Sequence, residues 1–398
     1  MVRVYFKFIY MYPDLSYFFH DLLGTPYDNW TSIFKTFGLF LALAFLASAY
    51  VVKLELQRKE KEGILKPVVV TVKEDNKNKY LSLLINILTG FIIGFKLLYI
   101  LSNTGTFISN PAAVLMSLKG SFTGGLLFAL LYGGYTYWDL KKKDKKEKEK
   151  VKTKVIHPYE YTGNITLIAA ISGLIGARLF SILENLDDFY QNPWEQLLSG
   201  SGLTIYGGLI LAFIAVYIYV KKKGIPPIHM MDIAALAIII GYAVGRLGCH
   251  FSGDGDWGIV NTMPKPSWFI LPDWMWSYDY PHNVAQQGVL MENCQAHYCR
   301  KLEPGVFPTP IYESIISFMI FFFLWSIRKR IKIPGLLFFI YLVLQGIERF
   351  FIETIRVNPK YDFMGLHWSQ AQYISVLIFL TGIAGIIYLT KFKKYKYG

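Results

Sequence analysis

The stretch AALAIIIGYAVGRLGCHFSGDGDWG, residues 234–258, decides the fold of this chain. Its first half carries no charge. With the residues just before it, the apolar run 229–250 is long enough to cross a bilayer, which takes about 20 residues of helix. Its second half sets Arg246, His250, Asp254 and Asp256 among glycines at 245, 248, 253, 255 and 258. Runs of similar apolarity recur along the chain, among them LFLALAFLASAYVV (39–52) and FMIFFFLWSI (318–327). Hydrophobic residues make up 53% of the 398 and charged residues only 17%, against roughly 25% charged in a soluble domain. A soluble enzyme, a disordered chain and a coiled coil are excluded. The expected fold is an all-α polytopic membrane protein.

The net charge of +13 is concentrated in short blocks between the apolar runs: QRKEKEG (57–63), KKKDKKEKEKVKTK (141–154), KKKG (221–224), RKRIK (328–332) and KFKKYK (391–396). In a soluble chain such an excess would suggest nucleic acid. Beside membrane helices, Lys and Arg resist translocation and mark cytoplasmic loops, so no nucleic-acid partner is expected. Placing every block inside threads about nine crossings. Residues 34–53 run inward, 80–101 outward, 121–139 inward, 163–183 outward and 203–220 inward. Residues 229–250 then run outward, 309–327 inward, 335–356 outward and 371–391 inward. The N-terminus is thus expected outside and the C-terminus in the cytoplasm. Asp14, Asp21 and Asp28, ahead of the first apolar run, do not fit a cleaved signal peptide.

Six segments follow from this thread. Residues 1–79 hold the first core helix and a linker, and 80–139 read as an inserted, removable hairpin. Residues 140–162 form a basic solvated linker, 163–250 core helices, 251–308 an extracytoplasmic cap loop and 309–398 the last core helices. The cap contains PSWFILPDWMWSYDYPHN (266–283), a composition suited to the membrane interface. The segment ENLDDFYQNPWEQLLSGSG (184–202) is acidic and aromatic in the same way. Lys96, within the hairpin, either snorkels toward headgroups or has a role of its own. Cys294 and Cys299 lie five apart in the cap, where a disulfide is allowed outside the cytoplasm. His282 and His297 near them match no standard zinc spacing, and neither a metal nor a cofactor is expected.

Ionisable residues inside crossings are the informative ones, because lipid penalises them. The thread gathers many of them at one depth. Arg178 (GARLFSILEN) and Arg246 lie near the outer ends of outgoing helices. Arg349, Glu353 and Arg356 (QGIERFFIETIR) lie in the outer part of another, spaced four and three apart on one helical face. Tyr206 (GLTIYGG) begins an ingoing helix, and Tyr312 with Glu313 (FPTPIYES) begins a second. A polar cavity facing the outer leaflet accounts for this convergence. Guanidinium groups match phosphate bidentately, so a phospholipid headgroup suits the cavity. No nucleophile elbow, Walker motif or HExxH is present.

These motifs together resemble the bacterial prolipoprotein diacylglyceryl transferases. GRLGCHFSGDGDWG resembles that family's signature turn, and GARLFSILEN and SGLTIYGGLI resemble its second core helix and the glycine-rich segment before its third. MMDIAALAIIIGYAVGR, PTPIYE and ERFFIETIR match in order as well. The resemblance covers roughly 163–260 and 305–390 plus the first crossing, and implies a seven-helix core to which the hairpin is extra. It implies transfer of the diacylglyceryl group of phosphatidylglycerol to the lipobox cysteine of a preprolipoprotein, with release of glycerol phosphate, in the bacterial cytoplasmic (inner) membrane. It carries Arg246 and Arg349 onto the essential arginines, Asp254 onto the essential acidic position and Gly258 onto the following glycine. Glu353 and Arg356 fall on the late-helix motif, and Asp232 on an acidic position at the cytoplasmic start of the signature helix. Arg178, Gly207, Gly208, Tyr312 and Glu313 complete the expected substrate-binding set.

The departures concern the base. Cys249 stands at the signature asparagine and one residue is inserted after it. Tyr206 and Phe307 stand where the family has histidines, and Phe37 where it has a tyrosine. A base must take the proton from the incoming thiol, because thiolate is the nucleophile. His250, Tyr206 and Asp254 are the candidates, and His250, four residues after Arg246, is expected to face the same cavity. The alternative function is a non-enzymatic phospholipid or anionic-solute transporter using the same arginines. Transporters of that kind tend to carry internal repeats with a midplane site, and this sequence shows no such repeat.

Overall fold

The computed structural model describes residues 11–392 apart from 73–76, 110–113, 115–116, 147–151, 194–196, 198–203 and 364. The chain divides into two compact units. Seven helices are long and apolar enough to cross a membrane: Thr36–Lys61, Tyr80–Ser102, Pro158–Glu184, Ile205–Lys222, Pro227–Ser252, Thr309–Ile327 and Gln370–Lys391. This is a multi-pass membrane protein. The other two expected crossings are also helical, Phe122–Lys146 and Leu336–Glu353. The first is less apolar and ends in a lysine-rich run, whereas the second is as apolar as the spans but holds three charges, Glu348, Arg349 and Glu353.

The first unit comprises Met1–Thr36, Val69–Ile156 and Pro281–Lys301. Helix α1 (Leu15–Leu23) is capped by Asp14, whose carboxylate accepts from the Ser16 amide at 3.0 Å, and ends at Gly24 with φ 67°. The inserted hairpin is α3 (Lys77–Ser102) against α4 (Phe122–Lys146). A side chain at Gly90 would lie 2.6 Å from the Phe128 carbonyl, and Gly94 and Gly124 back directly onto each other. Small residues let backbones approach where lipid supplies no hydrophobic drive between helices. Lys96 does not reach for headgroups: its ammonium donates to the carbonyls of Val114 and Lys119 at 3.0 Å and to that of Ser117. Strands Val68–Val72 and Lys152–Ile156 pair where the chain enters and leaves the hairpin. Cys294 and Cys299 form a disulfide, and the Tyr298 amide beside it donates to the Tyr17 hydroxyl at 3.0 Å.

The second unit holds the remaining helices: α2 (Thr36–Lys61), α5 (Thr162–Glu184), α6 (Ile205–Lys222), α7 (Pro227–Ser252), α8 (Thr309–Ile327), α9 (Leu336–Glu353) and α10 (Gln370–Ile387). Helix α7 is central, with half of its apolar window buried. Its Leu236, Ile239 and Ile240 pack against Val51 of α2, Phe321 and Leu324 of α8, and Leu337 and Tyr341 of α9. At the starting end of α7, Asp232 accepts from the amides of Gly335 (2.9 Å) and Phe338 (3.2 Å). It thereby satisfies donors that the first turn of α9 leaves unpaired. Nearby, Glu55 of α2 binds both Arg58 and Arg328. These contacts fix the relative heights of α2, α7, α8 and α9, and their opposite ends carry the site.

Candidate active site

Helix α7 stops because Gly253 takes φ 62°, its amide still bonded to the Cys249 carbonyl at 3.1 Å. Gly255, at φ 103°, continues a turn that a side chain there would strain. The turn brings Asp256 back over Arg246. One Asp256 oxygen pairs with Arg246 Nη1 and the other with Arg356 Nη2 at 2.8 Å. Burial alone would raise the Asp256 carboxyl, but the two guanidiniums outweigh it and hold it down to about 2. Beyond it, the Gly258 amide donates to the Phe307 carbonyl and that of Ile259 to the Ile355 carbonyl, both at 2.8 Å. Gly258 thereby lies antiparallel to Arg356. A side chain at 258 would meet the Ile355 carbonyl at 2.5 Å and Phe307 and Thr309 at 2.9 Å.

Glu313, in the first turns of α8, is the hub. Fully buried, it pairs through Oε2 with Arg246 Nε at 2.9 Å and Arg349 Nη1 at 3.3 Å, and through Oε1 with Arg356 Nη1 at 2.9 Å. The Tyr242 hydroxyl, one turn before Arg246, also donates to it. Glu353 binds Arg349 Nη2 at 3.0 Å and is held by the Ser369 hydroxyl at 2.9 Å and by Asn358. Arg246, Arg349 and Arg356 thus converge on Glu313, Glu353 and Asp256 at the shared end of α7, α8 and α9. The side chain of Arg349 is 20% exposed, against 8% for each of the other two. Among the described residues, Nη2 of Arg246 enters none of these ion pairs.

The other expected residues distribute differently. Tyr206 at the start of α6 lies within electrostatic reach of Arg349, Glu353 and Arg356. Tyr312 turns away and donates to the Met275 carbonyl, tying the cap to α8. Gly207 and Gly208 are packing residues in α6: side chains there would run into Phe180 and Gly173 of α5. Arg178 is half-buried on that same α5. Asp254 is exposed and accepts from the Asp256 amide at 3.2 Å. His250 does not face the arginines. It is 1% exposed, its Nδ1 is 3.2 Å from the Tyr280 hydroxyl, and it packs among Trp274, Tyr278 and Tyr280. Cys249, Asp254 and Asp256 offer ligand atoms within 4.8 Å of one another. A cation there would have to displace a guanidinium from Asp256. Tyr242 is the cluster member that the sequence did not bring forward; the only signal was its spacing, one turn before Arg246 on the same helix.

Comparison with known proteins covers the same part of the chain. The family model described as prolipoprotein diacylglyceryl transferase matches residues 137–388. That span contains every member of the arginine cluster and begins only in the last part of the α3–α4 hairpin. A phosphatidylglycerol–prolipoprotein diacylglyceryl transferase of Clostridium botulinum (strain Langeland) is 33% identical over 237 residues, 59% of this chain and 83% of the relative. One of the same name from Leptospira interrogans (strain Fiocruz L1-130) is 28% identical over 299 residues, 62% of this chain and 84% of the relative. With most of the core and the whole charged cluster inside the matched span, the chain belongs to the prolipoprotein diacylglyceryl transferase family.

Proposed function

We propose that this protein transfers the diacylglyceryl group of phosphatidylglycerol to the lipobox cysteine thiol of a preprolipoprotein signal peptide and releases glycerol phosphate. The observation that carries the reading is the convergence of Arg246, Arg349 and Arg356 on buried carboxylates at one end of three helices. A guanidinium held by a carboxylate is already oriented when a phosphate arrives, and so loses little freedom on binding it. In this reading Arg349, the most exposed of the three, meets the headgroup first, and Arg246 supplies its remaining Nη2 donors. Both then stabilise the charge that grows on the departing phosphate oxygen. Asp256 and Glu313 hold the clamp in shape, and Gly258 lets its turn lie against Arg356. The site opens to the outer leaflet of a bacterial cytoplasmic membrane, with the N-terminus outside and the C-terminus in the cytoplasm, as the placement of the basic blocks supports.

The test is direct. The purified protein in phosphatidylglycerol bilayers is given a lipobox peptide, and glycerol phosphate release is measured with peptide lipidation. Equal amounts of the two are expected. Lipid movement between leaflets without release of glycerol phosphate would replace the transferase by a transporter.

A further inference from the structure

Glu348 lies next to Arg349 in α9 yet belongs to none of the ion pairs described above. It is 4% exposed. One oxygen, Oε2, accepts from Gln345 Nε2 at 2.7 Å. The other, Oε1, is buried and has no hydrogen-bond partner among the described residues. A buried carboxylate oxygen left without a donor is expensive, and such groups call for an explanation. The two neighbours diverge along the helix. Arg349 reaches forward to Glu353, four residues on, whereas Glu348 turns back to Gln345, three residues earlier. The carboxylate therefore sits over the preceding turn, on the inward side of the arginine layer. Tyr242 of α7 occupies the turn before Arg246, at the same level.

That position has a chemical meaning, which rests on the transfer reaction proposed above. In an in-line displacement the nucleophile approaches the carbon from the side opposite the leaving oxygen. The leaving oxygen belongs to the phosphate, held in the arginine layer. The attacked glyceryl carbon lies on the acyl-chain side of it, and the thiol lies roughly 3–3.5 Å beyond that carbon. A helical turn rises about 5.4 Å, so a proton acceptor one turn below the clamp stands beside the thiol. We propose that Glu348 is the general base that takes the thiol proton. The S–H proton passes to Oε1 as the sulfur pair forms the bond to the glyceryl carbon. The carbon–oxygen bond breaks with its electron pair on the phosphate oxygen, and glycerol phosphate leaves. The groups facing this carboxylate are Tyr242 and Arg246 of α7, Glu313 of α8, Tyr341 and Arg349 of α9, and Arg356 beyond it. Helix α10 packs on α9 at Gly346 through Ser375 and Phe379.

The experiment compares wild type with Glu348→Gln in phosphatidylglycerol bilayers, following glycerol phosphate release against pH with a cysteine and a selenocysteine lipobox peptide. Wild type is measured first: no release from it defeats the transfer reaction itself, independently of Glu348. With the cysteine peptide, Glu348→Gln should lose about 100-fold or more in kcat, the range of a general base, with KM for the lipid little changed. Its rate should then climb with pH toward the thiol value of about 8.5. With the selenocysteine peptide, already ionised at neutral pH, the variant should run close to wild type. A loss equal for both peptides at every pH, or one confined to KM, overturns the proposal, as does a wild-type rate. If Glu348→Gln does not fold, Glu348→Asp takes its place: a slower reaction with a wild-type pH profile is expected, and the same slowing for both peptides refutes the assignment.

Discussion

Glu313→Gln tests the clamp at its hub. The substitution keeps shape and removes one charge from a side chain with no solvent exposure that faces three guanidiniums. Asp256 and Glu353 remain, so Arg246 and Arg349 each keep one carboxylate contact and Arg356 keeps two. Removing one member of a buried ion pair costs about 3–5 kcal/mol, because the partner stays buried without its counter-charge. Shared among three arginines that each retain a partner, the loss should fall near the lower end, about 3 kcal/mol. At roughly 2 °C per kcal/mol for a large domain, the melting temperature in detergent should drop by about 6 °C. Glycerol phosphate release should fall at least about 100-fold, as all three guanidiniums lose their shared anchor. Adding Arg356→Gln removes one of the uncompensated charges. The double variant should therefore be more stable than the sum of the single losses, by about 1–2 kcal/mol of coupling. An unchanged melting temperature for Glu313→Gln, or strict additivity in the double variant, would show that this carboxylate does not organise the arginines.

Four further outcomes are expected. Arg246→Ala and Arg349→Ala should each lose at least about tenfold in transfer, since one charge-assisted hydrogen bond is worth about 1.5–3 kcal/mol, and Lys at either site should recover only part of it; near-normal activity in a folded Arg246→Ala protein removes the clamp. Gly258→Ala, whose added carbon would lie 2.5 Å from the Ile355 carbonyl, should separate the turn from Arg356 and lower both activity and melting temperature, and a silent change refutes the close approach. The Asp256 carboxyl is held down to about 2, below its unfolded value of about 3.9. Its contribution is therefore complete above that value and is lost as pH falls toward 2; the melting difference between wild type and Asp256→Asn should be flat from pH 7 to about 5 and shrink only below about 4, and a difference that fades near pH 6 contradicts the two ion pairs. Reporter fusions after residues 60, 224 and 330 should read cytoplasmic and one near 275 outside, and a cytoplasmic signal at 275 puts the site on the wrong face.

The sequence was most legible where one physical rule governs a whole segment. Apolar length and basic blocks located the helices, because lipid tolerates little else. The rule weakened at Leu336–Glu353, where the charges that make the site also interrupt the apolar run. Three arginines were legible as a group because intramembrane charge is rare. Glu353 was legible with them, on the same helical face, but the carboxylate that meets Arg246 from the turn was not. Whether Asp254 or Asp256 meets Arg246 depends on the φ of Gly253 and Gly255, a turn geometry that spacing alone does not specify. His250 shows the same limit: four residues after Arg246 it shares a face in an ideal helix, yet Tyr280 and Trp274 of the cap take up its ring. Gly207 and Gly208 stand in the expected substrate-binding set, and in the structure both back onto α5; a glycine carries no side chain by which the sequence could announce that contact.

The carboxylates explain how three arginines can wait in such a site. Unpaired guanidiniums gathered around one carboxylate position and largely out of water would repel, and the ends of α7 and α9 would splay. Glu313, Glu353 and Asp256 prevent this. The pairing also sets a condition on the ligand: a neutral headgroup gains nothing from a site whose donors are already engaged, whereas an anion competes for them. A phosphodiester offers two oxygens to Arg246 Nη2 and to the more exposed Arg349 without breaking the pairs of Arg356. Binding would then draw Arg349 partly away from Glu313, shifting negative charge toward Tyr242 and Glu348 at the moment the thiol arrives. An anion entering the clamp thus loosens one guanidinium while Arg356 keeps its pairs to Glu313 and Asp256 and holds the turn after α7 against α8.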